Sequence, residues 1–251
     1  MERITSRKNE TVRHVRRLGA DRDARRETGE FVCDGEKLLD EALRSGAEIR
    51  TVLWADGACA GASSLKIPGA AQYLVPEELL DYASPLKSGA RVLFTARVKP
   101  ALPAPPGRTL VLETVQDPGN LGTVLRTADA FGVDTVILTG DCADPYHPKA
   151  VRATMGAIFR QRFFEMEREE LRAFLTGQNL KLYGAALSPE AEDIRGLDLK
   201  GAAVAVGSEG RGLSEALLSL CDGELIIPMN GQSESLNAAV AAAIIMWEMT
   251  R

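Results

Sequence analysis

The stretch Thr109-Leu-Val-Leu-Glu-Thr-Val-Gln-Asp-Pro-Gly-Asn-Leu-Gly-Thr-Val-Leu-Arg-Thr-Ala-Asp-Ala-Phe-Gly-Val-Asp-Thr-Val-Ile-Leu-Thr139 decides the fold class. Thr109–Val115 is a largely apolar run of strand length. Pro118 and Gly119 then make a turn. Leu121, Val124, Leu125, Ala128 and Phe131 recur at helical spacing, which predicts a helix from about Asn120 to Phe131. Gly132 stops that helix, and Val133–Thr139 is a second strand run. Strands without polar alternation, joined by a helix, are the signature of a parallel sheet covered on both faces.

The same alternation continues downstream. Strands are expected at Lys181–Leu187, Ala202–Val206 and Glu224–Met229, with helices between them. A final helix from about Ser235 to Thr250 is apolar nearly all round, so it should be buried on more than one side. A subunit interface is one explanation in so small a domain. Upstream, Arg97–Arg108 carries four prolines and no periodic apolar pattern, so it reads as a stiff linker. Before it, a helix at Glu36–Leu43 and strands at Ile49–Trp54 and Arg91–Thr95 describe a smaller α/β unit. The expected domains are therefore 1–96, a linker at 97–108, and 109–251.

Composition bounds the function. The 251 residues are 45% hydrophobic and 26% charged, average for a globular chain, which excludes a disordered or fibrous protein. The longest nearly apolar run, Leu236–Trp247, is interrupted by Asn237 and is shorter than the roughly 20 residues a membrane span needs. The N-terminus has no apolar signal core, so a cytoplasmic protein without a membrane partner is expected. Cys33, Cys59, Cys142 and Cys221 lie far apart with no histidine nearby; reduced thiols and no metal site are expected. The net charge is −5, yet residues 1–26 hold nine Lys or Arg against four acids. A basic arm on an acidic body suits phosphate binding, and equally suits a solvated helix face with paired charges.

In parallel α/β sheets, ligands bind at the carboxyl ends of strands, so the strand-to-helix loops carry the functional information. The first, Gln116–Ala128, offers Asn120 as a helix cap and Arg126 on the side opposite Leu121 and Leu125. The second, Val206-Gly-Ser-Glu-Gly-Arg-Gly-Leu-Ser214, follows a strand and bares backbone N–H and C=O groups. Its G-x-x-G-x-G spacing is not that of a dinucleotide site, and Glu209 would repel a pyrophosphate, which disfavours NAD and ATP. The third, Ile226–Asn237, runs from a strand through Pro228 into the final helix. There Ser235 and Asn237 are potential caps, and the Asn237 amide needs a partner.

Taken together and in this order, Asn120-x5-Arg126-Thr-Ala, Gly207-Ser-Glu-Gly-Arg-Gly212 and Ile227-Pro-Met-x5-Ser-Leu-Asn237 resemble three motifs of one family. These are the motifs of the SpoU (TrmH-like) RNA 2′-O-ribose methyltransferases of the SPOUT superfamily. The resemblance runs through residues 109–251, and Asp144–Gly156 looks like that family's connecting region. Residues 1–96 are similar to the small L30e-like substrate-binding domain that often precedes it. The resemblance implies a trefoil-knotted catalytic domain, an exception to the unknotted rule, a homodimer, and S-adenosylmethionine (SAM) as cofactor. By similarity Gly207, Ile227, Met229 and Leu236 would hold SAM, and Asn120, Arg126, Glu209, Ser235 and Asn237 would form the active site. Asp117 stands where some members carry Asn, a cap-like exchange. The two histidines, His14 and His147, match no catalytic position.

The implied partner is RNA, with 23S ribosomal RNA as the substrate and transfer RNA as the alternative. The basic residues Arg7, Lys8, Arg13, Arg16 and Arg17 would then contact phosphates. A non-catalytic RNA-binding module is the reading from a different class; the full set of polar motif residues argues against it.

Overall fold

A computed structural model describes residues 1–57, 67–86, 89, 91–100, 107–230 and 235–251. Cys59, residues 101–106 of the Pro-rich linker and residues 231–234 of the third loop lie outside the described residues. The strands are β1 (Glu2–Arg3), β2 (Glu30–Asp34), β3 (Ile49–Ala55), β4 (Ala71–Val75), β5 (Val92–Arg97), β6 (Thr109–Glu113), β7 (Thr135–Thr139), β8 (Phe163–Glu165), β9 (Leu182–Ala185), β10 (Glu192–Asp193), β11 (Ala203–Val206) and β12 (Gly223–Ile226). The α-helices are α1 (Glu10–Ala20), α2 (Arg22–Thr28), α3 (Glu36–Arg44), α4 (Glu77–Ala83), α5 (Pro118–Phe131), α6 (Pro148–Ala153), α7 (Arg168–Gly177), α8 (Glu215–Leu218) and α9 (Ala238–Glu248).

Two compact units result: Met1–Pro100 with Asp144–Phe159, and Ala101–Ala143 with Arg160–Arg251. The segment 144–159, which lies within the region 109–251 expected as one domain, makes its contacts with the first unit. Its aromatic and charged side chains explain why. Phe31 of β2 stacks on Tyr146 and Phe159, with centroids 4.9 and 6.0 Å apart. Arg25, only 5% exposed, reaches Asp144 at 2.7 Å and donates to the Leu18 carbonyl at 2.6 Å. A buried arginine with both partners in place is satisfied; stripped of Asp144 it would be a costly isolated charge.

In the first unit the sheet order is β1-β4-β3-β5-β2. β3 pairs parallel with β4 but antiparallel with β5, so the sheet is mixed. Helix α1 earns its place by spacing: Val12, Val15 and Leu18 fall on one stripe and are fully buried. Asn9 caps it, its side chain accepting from the Thr11 and Val12 amides.

In the second unit every strand pairing is parallel, in the order β10-β12-β9-β11-β6-β7-β8. The β6 residues divide by the two-residue period of a strand. Leu110 and Leu112 join the core with Leu121, Leu125 and Val124 of α5 and Ile245 and Met246 of α9. Val111 turns the other way, towards Leu171 and Leu175 of α7 and Leu217 of α8. Each such side chain contributes roughly 1.5–3 kcal/mol by burial. This is the covered parallel sheet that the apolar runs required.

Helix α9 departs from expectation at both ends of its description. It begins at Ala238, with Asn237 as its cap, rather than at Ser235. Burial on more than one side was expected, but its buried residues, Ala238, Ala239, Ala242, Ile245 and Met246, share one face, and Val240 and Trp247 are 48% and 54% exposed. Among the described residues no helix is long and apolar enough to cross a membrane.

Candidate active site

The β6, β11 and β12 strands run parallel in one sheet, with β9 between β11 and β12, so the three motif loops leave the same carboxyl end of the sheet. Asp117 caps α5, its carboxylate accepting from the Asn120 amide at 2.8 Å. The capping role expected of Asn120 thus belongs to Asp117, because Pro118 and Gly119 already form the first helical turn. That correction frees the Asn120 carboxamide. It donates to Glu209 Oε1 at 2.5 Å.

Glu209 gathers the third loop as well. The Asn237 amide donates to the same Glu209 oxygen and to Asn120 Oδ1, the latter at 3.2 Å. Asn237 Oδ1 meanwhile accepts from the Ala239 and Val240 amides at 2.9 and 3.2 Å, capping α9. The unpartnered amide foreseen in the sequence therefore finds a carboxylate 28 residues away in the chain. Glu209 thus binds Asn120 and Asn237. Arg126 is exposed and has no hydrogen-bond or ion-pair partner among the described residues.

The glycine loop itself is a tight hairpin-like turn. Ser208 and Gly212 form an antiparallel bridge, their backbone bonds measuring 3.2 and 2.9 Å. Gly207 is packed so closely that an added Cβ would lie 2.1 Å from the Gly212 carbonyl carbon and oxygen. No side chain fits there. The neck of this loop is held by Glu113, at the end of β6 and only 2% exposed. Its carboxylate accepts from the Ser214 amide and hydroxyl, both at 2.7 Å, and pairs with Arg168 of α7 at 2.8 Å. Ser214 caps α8 at the same time. Neither Glu113 nor Arg168 belongs to the three motif loops. The available signal was the lone acid in the apolar run Leu110–Val115.

Two cavities flank the loop. One, of about 430 Å³, is lined by Thr114–Asp117, Asn120, Ser208–Arg211 and Ala238. The other, of about 590 Å³, brings together all four residues expected to hold a cofactor, Gly207, Ile227, Met229 and Leu236, with Ser235 and Glu209. Arg126 lines neither. Among the described residues, backbone groups of the glycine loop, aliphatic walls and the carboxylates of Glu209 and Glu224 line the second cavity, with one guanidinium, that of Arg211, a set suited to a compact cationic ligand.

The basic arm is thinner than its composition suggested. Arg25 is buried, Arg3 pairs with Asp56 at 2.5 Å, and Arg17 is shared between Asp21 and Glu27 at 3.5 and 3.0 Å. Arg7 and Arg16 lie over the Tyr82 ring, 4.7 and 4.1 Å from its centroid. The Lys8 and Arg13 side chains have no hydrogen-bond or ion-pair partner among the described residues and face solvent. His147 accepts from the Lys149 amide through Nδ1 and caps α6, while burial and the nearby Arg25 charge lower its pKa. That is a structural use of the ring. Cys33 and Cys142 are buried free thiols whose pKa burial raises, and Cys221 is pushed up to about 12. No group of three or more metal-ligating side chains occurs among the described residues.

Against known proteins, residues 107–247 match the SpoU rRNA Methylase family, and residues 9–93 match the MRM3-like substrate binding domain. The chain belongs to the SpoU rRNA methylase family. It is 32% identical over 257 residues to a Bacillus subtilis 23S rRNA (guanosine(2553)-2′-O)-methyltransferase, with 99% of each chain covered. It is 30% identical to a 23S rRNA (uridine(2479)-2′-O)-methyltransferase of Streptomyces viridochromogenes, covering 99% of this chain and 92% of that one. The AdoMet-bound rRNA methyltransferase of Sinorhizobium meliloti superposes with a TM-score of 0.87 at 28% identity, covering 99% and 97% of the two chains. This SpoU methylase therefore shares both its catalytic and its substrate-binding parts with full-length relatives. The α/β class with a parallel sheet and a preceding substrate-binding domain, expected from the sequence, is the observed one.

Proposed function

We propose that the chain transfers a methyl group from SAM to a ribose 2′-hydroxyl of large-subunit ribosomal RNA. The observation that carries this is the convergence of three loops on Glu209, beside a cavity lined by Gly207, Ile227, Met229 and Leu236. The relatives named as 23S rRNA 2′-O-methyltransferases cover essentially the whole chain, which favours ribosomal over transfer RNA.

SAM supplies an electrophilic methyl group on a sulfonium that departs as a neutral thioether. The protein's share is alignment and charge control. Asn120 and Asn237, locked by Glu209, present a fixed polar wall; Ser235 stands at the entry of the third loop. Arg126, free and exposed, is suited to hold a phosphate next to the reacting ribose and to stabilise the oxygen as it gains negative charge. A guanidinium is a poor proton acceptor, so the 2′-hydroxyl proton leaves late, to water, rather than to Arg126. Lys8 and Arg13, with Arg7 and Arg16 beside Tyr82, supply phosphate contacts remote from the chemistry. Arg17, already shared between two acids, contributes least.

A homodimer completes the reading. Val240 and Trp247 expose an apolar stripe on α9, and Trp247 packs edge-on against Phe131 of α5 at 5.7 Å. A second copy of this chain would cover that stripe. The active site would then operate in the cytoplasm, where ribosomal RNA is found.

The test is methyl transfer from labelled SAM into separate ribosomal and transfer RNA pools, followed by alkaline hydrolysis. Label in alkali-resistant dinucleotides of 23S rRNA supports the proposal. Label in transfer RNA alone, or in alkali-sensitive products, overturns it.

A further inference from the structure

The cavity holding the four motif residues contains a second carboxylate that the family motifs do not include. Glu224 sits on β12, and its carboxylate receives the Ser188 hydroxyl from the loop after β9. Both side chains are partly buried in the cavity wall. Opposite Glu224 in the strand register is Gly184, whose lack of a side chain lets Leu218, Cys221 and Leu213 close onto β9. An added Cβ there would come within 2.9 Å of Leu218 and 3.2 Å of Leu213. The two leucines also line the cavity. A polar pair set among aliphatic walls is therefore presented to whatever occupies this end.

Glu209, the other acid of the cavity, is already committed to Asn120 and Asn237. The single cation among the described lining residues is Arg211, on the glycine loop. SAM, whose binding at this cavity is the reading given above, has two ends with different needs. Its amino-acid end carries a carboxylate and favours a cation, which among the described lining residues is Arg211. Its adenosyl end requires aliphatic surface for a purine and acceptors for two neighbouring hydroxyls. A carboxylate accepting from a ribose diol is a recurrent solution for adenosyl ligands.

We propose that Glu224, aimed by Ser188, receives the ribose diol of the adenosyl group and thereby sets the protein's affinity for its methyl donor. Glu224 is a binding residue in this account and takes no part in the transfer step. Its loss weakens the complex equally before and during the reaction, raising KM for SAM while leaving kcat in place.

The experiment is calorimetry on the full chain with SAM, S-adenosylhomocysteine and 5′-methylthioadenosine, which keeps the adenosyl diol but lacks the amino-acid end. Glu224→Gln is expected to weaken all three by about 10-fold, the effect of a hydrogen bond to a charged group. Ser188→Ala, a smaller change, is expected to weaken them by about 3-fold. The 2′- and 3′-deoxy forms of 5′-methylthioadenosine supply the cycle: at least one binds the natural protein about 10-fold more weakly than the parent, and Glu224→Gln erases that difference. Unchanged thermal unfolding of both variants separates these effects from misfolding. Weakened binding of SAM with unchanged binding of 5′-methylthioadenosine would place Glu224 against the ammonium group and overturn the assignment. Unchanged binding of all three ligands to Glu224→Gln would overturn it too. A natural protein that binds none of the ligands contradicts the donor reading itself.

Discussion

The tip and the neck of the glycine loop use the same chemical group for opposite purposes. At the tip, Glu209 is exposed and bound by two side-chain amides from loops far apart in sequence. At the neck, Glu113 is sealed from water and tied by Ser214 and Arg168. Exposed carboxylates contribute little to stability, so the tip is free to be specified by chemistry. A buried one is costly unless fully paired, so the neck is specified by folding. The loop works because one end is rigidly fixed while the other presents its acid to the site.

Substitutions at the two ends should therefore separate. The largest effect is expected at the neck. Glu113→Ala strands the Arg168 charge and two Ser214 donors, and should lower unfolding free energy by about 3–5 kcal/mol. Denaturant titration measures it; a loss below about 1 kcal/mol would mean that the neck is not the anchor described. Gly207→Val places methyl groups where the Gly212 backbone already lies, and should abolish SAM binding by calorimetry even if the chain still folds.

Next comes the functional surface around the tip. Arg126→Ala should reduce methyl transfer by about 100-fold or more, roughly 3 kcal/mol of transition-state stabilisation, with an unchanged melting temperature. Retained transfer would show that Arg126 has no part in the step. Asn237→Ser sharpens the contrast: serine keeps a capping oxygen for α9 but loses the amide that reaches Glu209. Its activity should fall by about 10-fold, with stability changed by less than about 0.5 kcal/mol. Equal losses in stability and activity would erase the distinction between tip and neck.

The smallest effect is electrostatic and lies away from the loop. Asp222 has a lowered pKa because Arg172 hydrogen-bonds to it and the Leu182 amide adds a further bond. A depressed acid contributes stability at pH values above its ordinary value of 3.8 and loses it as the pH falls through the folded value. Asp222→Asn should thus cost about 0.5–1 kcal/mol at pH 7, discounted for partial exposure. The difference from the natural protein should shrink below pH 4. A gap that persists at pH 2 would assign the effect to packing instead of charge.

The same division explains what could be read in advance. Leu110, Leu112, Leu121 and Leu125 carry the periods of strand and helix in their spacing, so the parallel sheet and its covering helix were legible. Asn120, Glu209 and Asn237 were legible because their joint spacing resembles a known set of motifs, although each alone passes for a helix cap. Which of Asp117 and Asn120 caps α5 was not, since Asp and Asn are near-equal caps and only the position of Pro118 relative to the first turn selects between them. The residence of 144–159 in the first unit depends on Phe31 and Arg25, more than a hundred residues away, and no local pattern reports such a contact. Charge counting left two readings open at the basic arm for the same reason: Arg25, Arg3 and Arg17 find acids through the fold, leaving Lys8 and Arg13 unpaired. Neutralising Lys8 and Arg13 together should lower the salt dependence of RNA binding by about two phosphate contacts, whereas Arg17→Ala should leave it nearly unchanged.

The most direct examination of the central claim is a crystal structure of the full chain with SAM bound. The account predicts the adenosyl group between the loops after β9, β11 and β12, and the sulfonium methyl directed to the wall formed by Asn120, Glu209 and Asn237. Density for SAM at any other place, or a methyl group turned away from that wall, would contradict it.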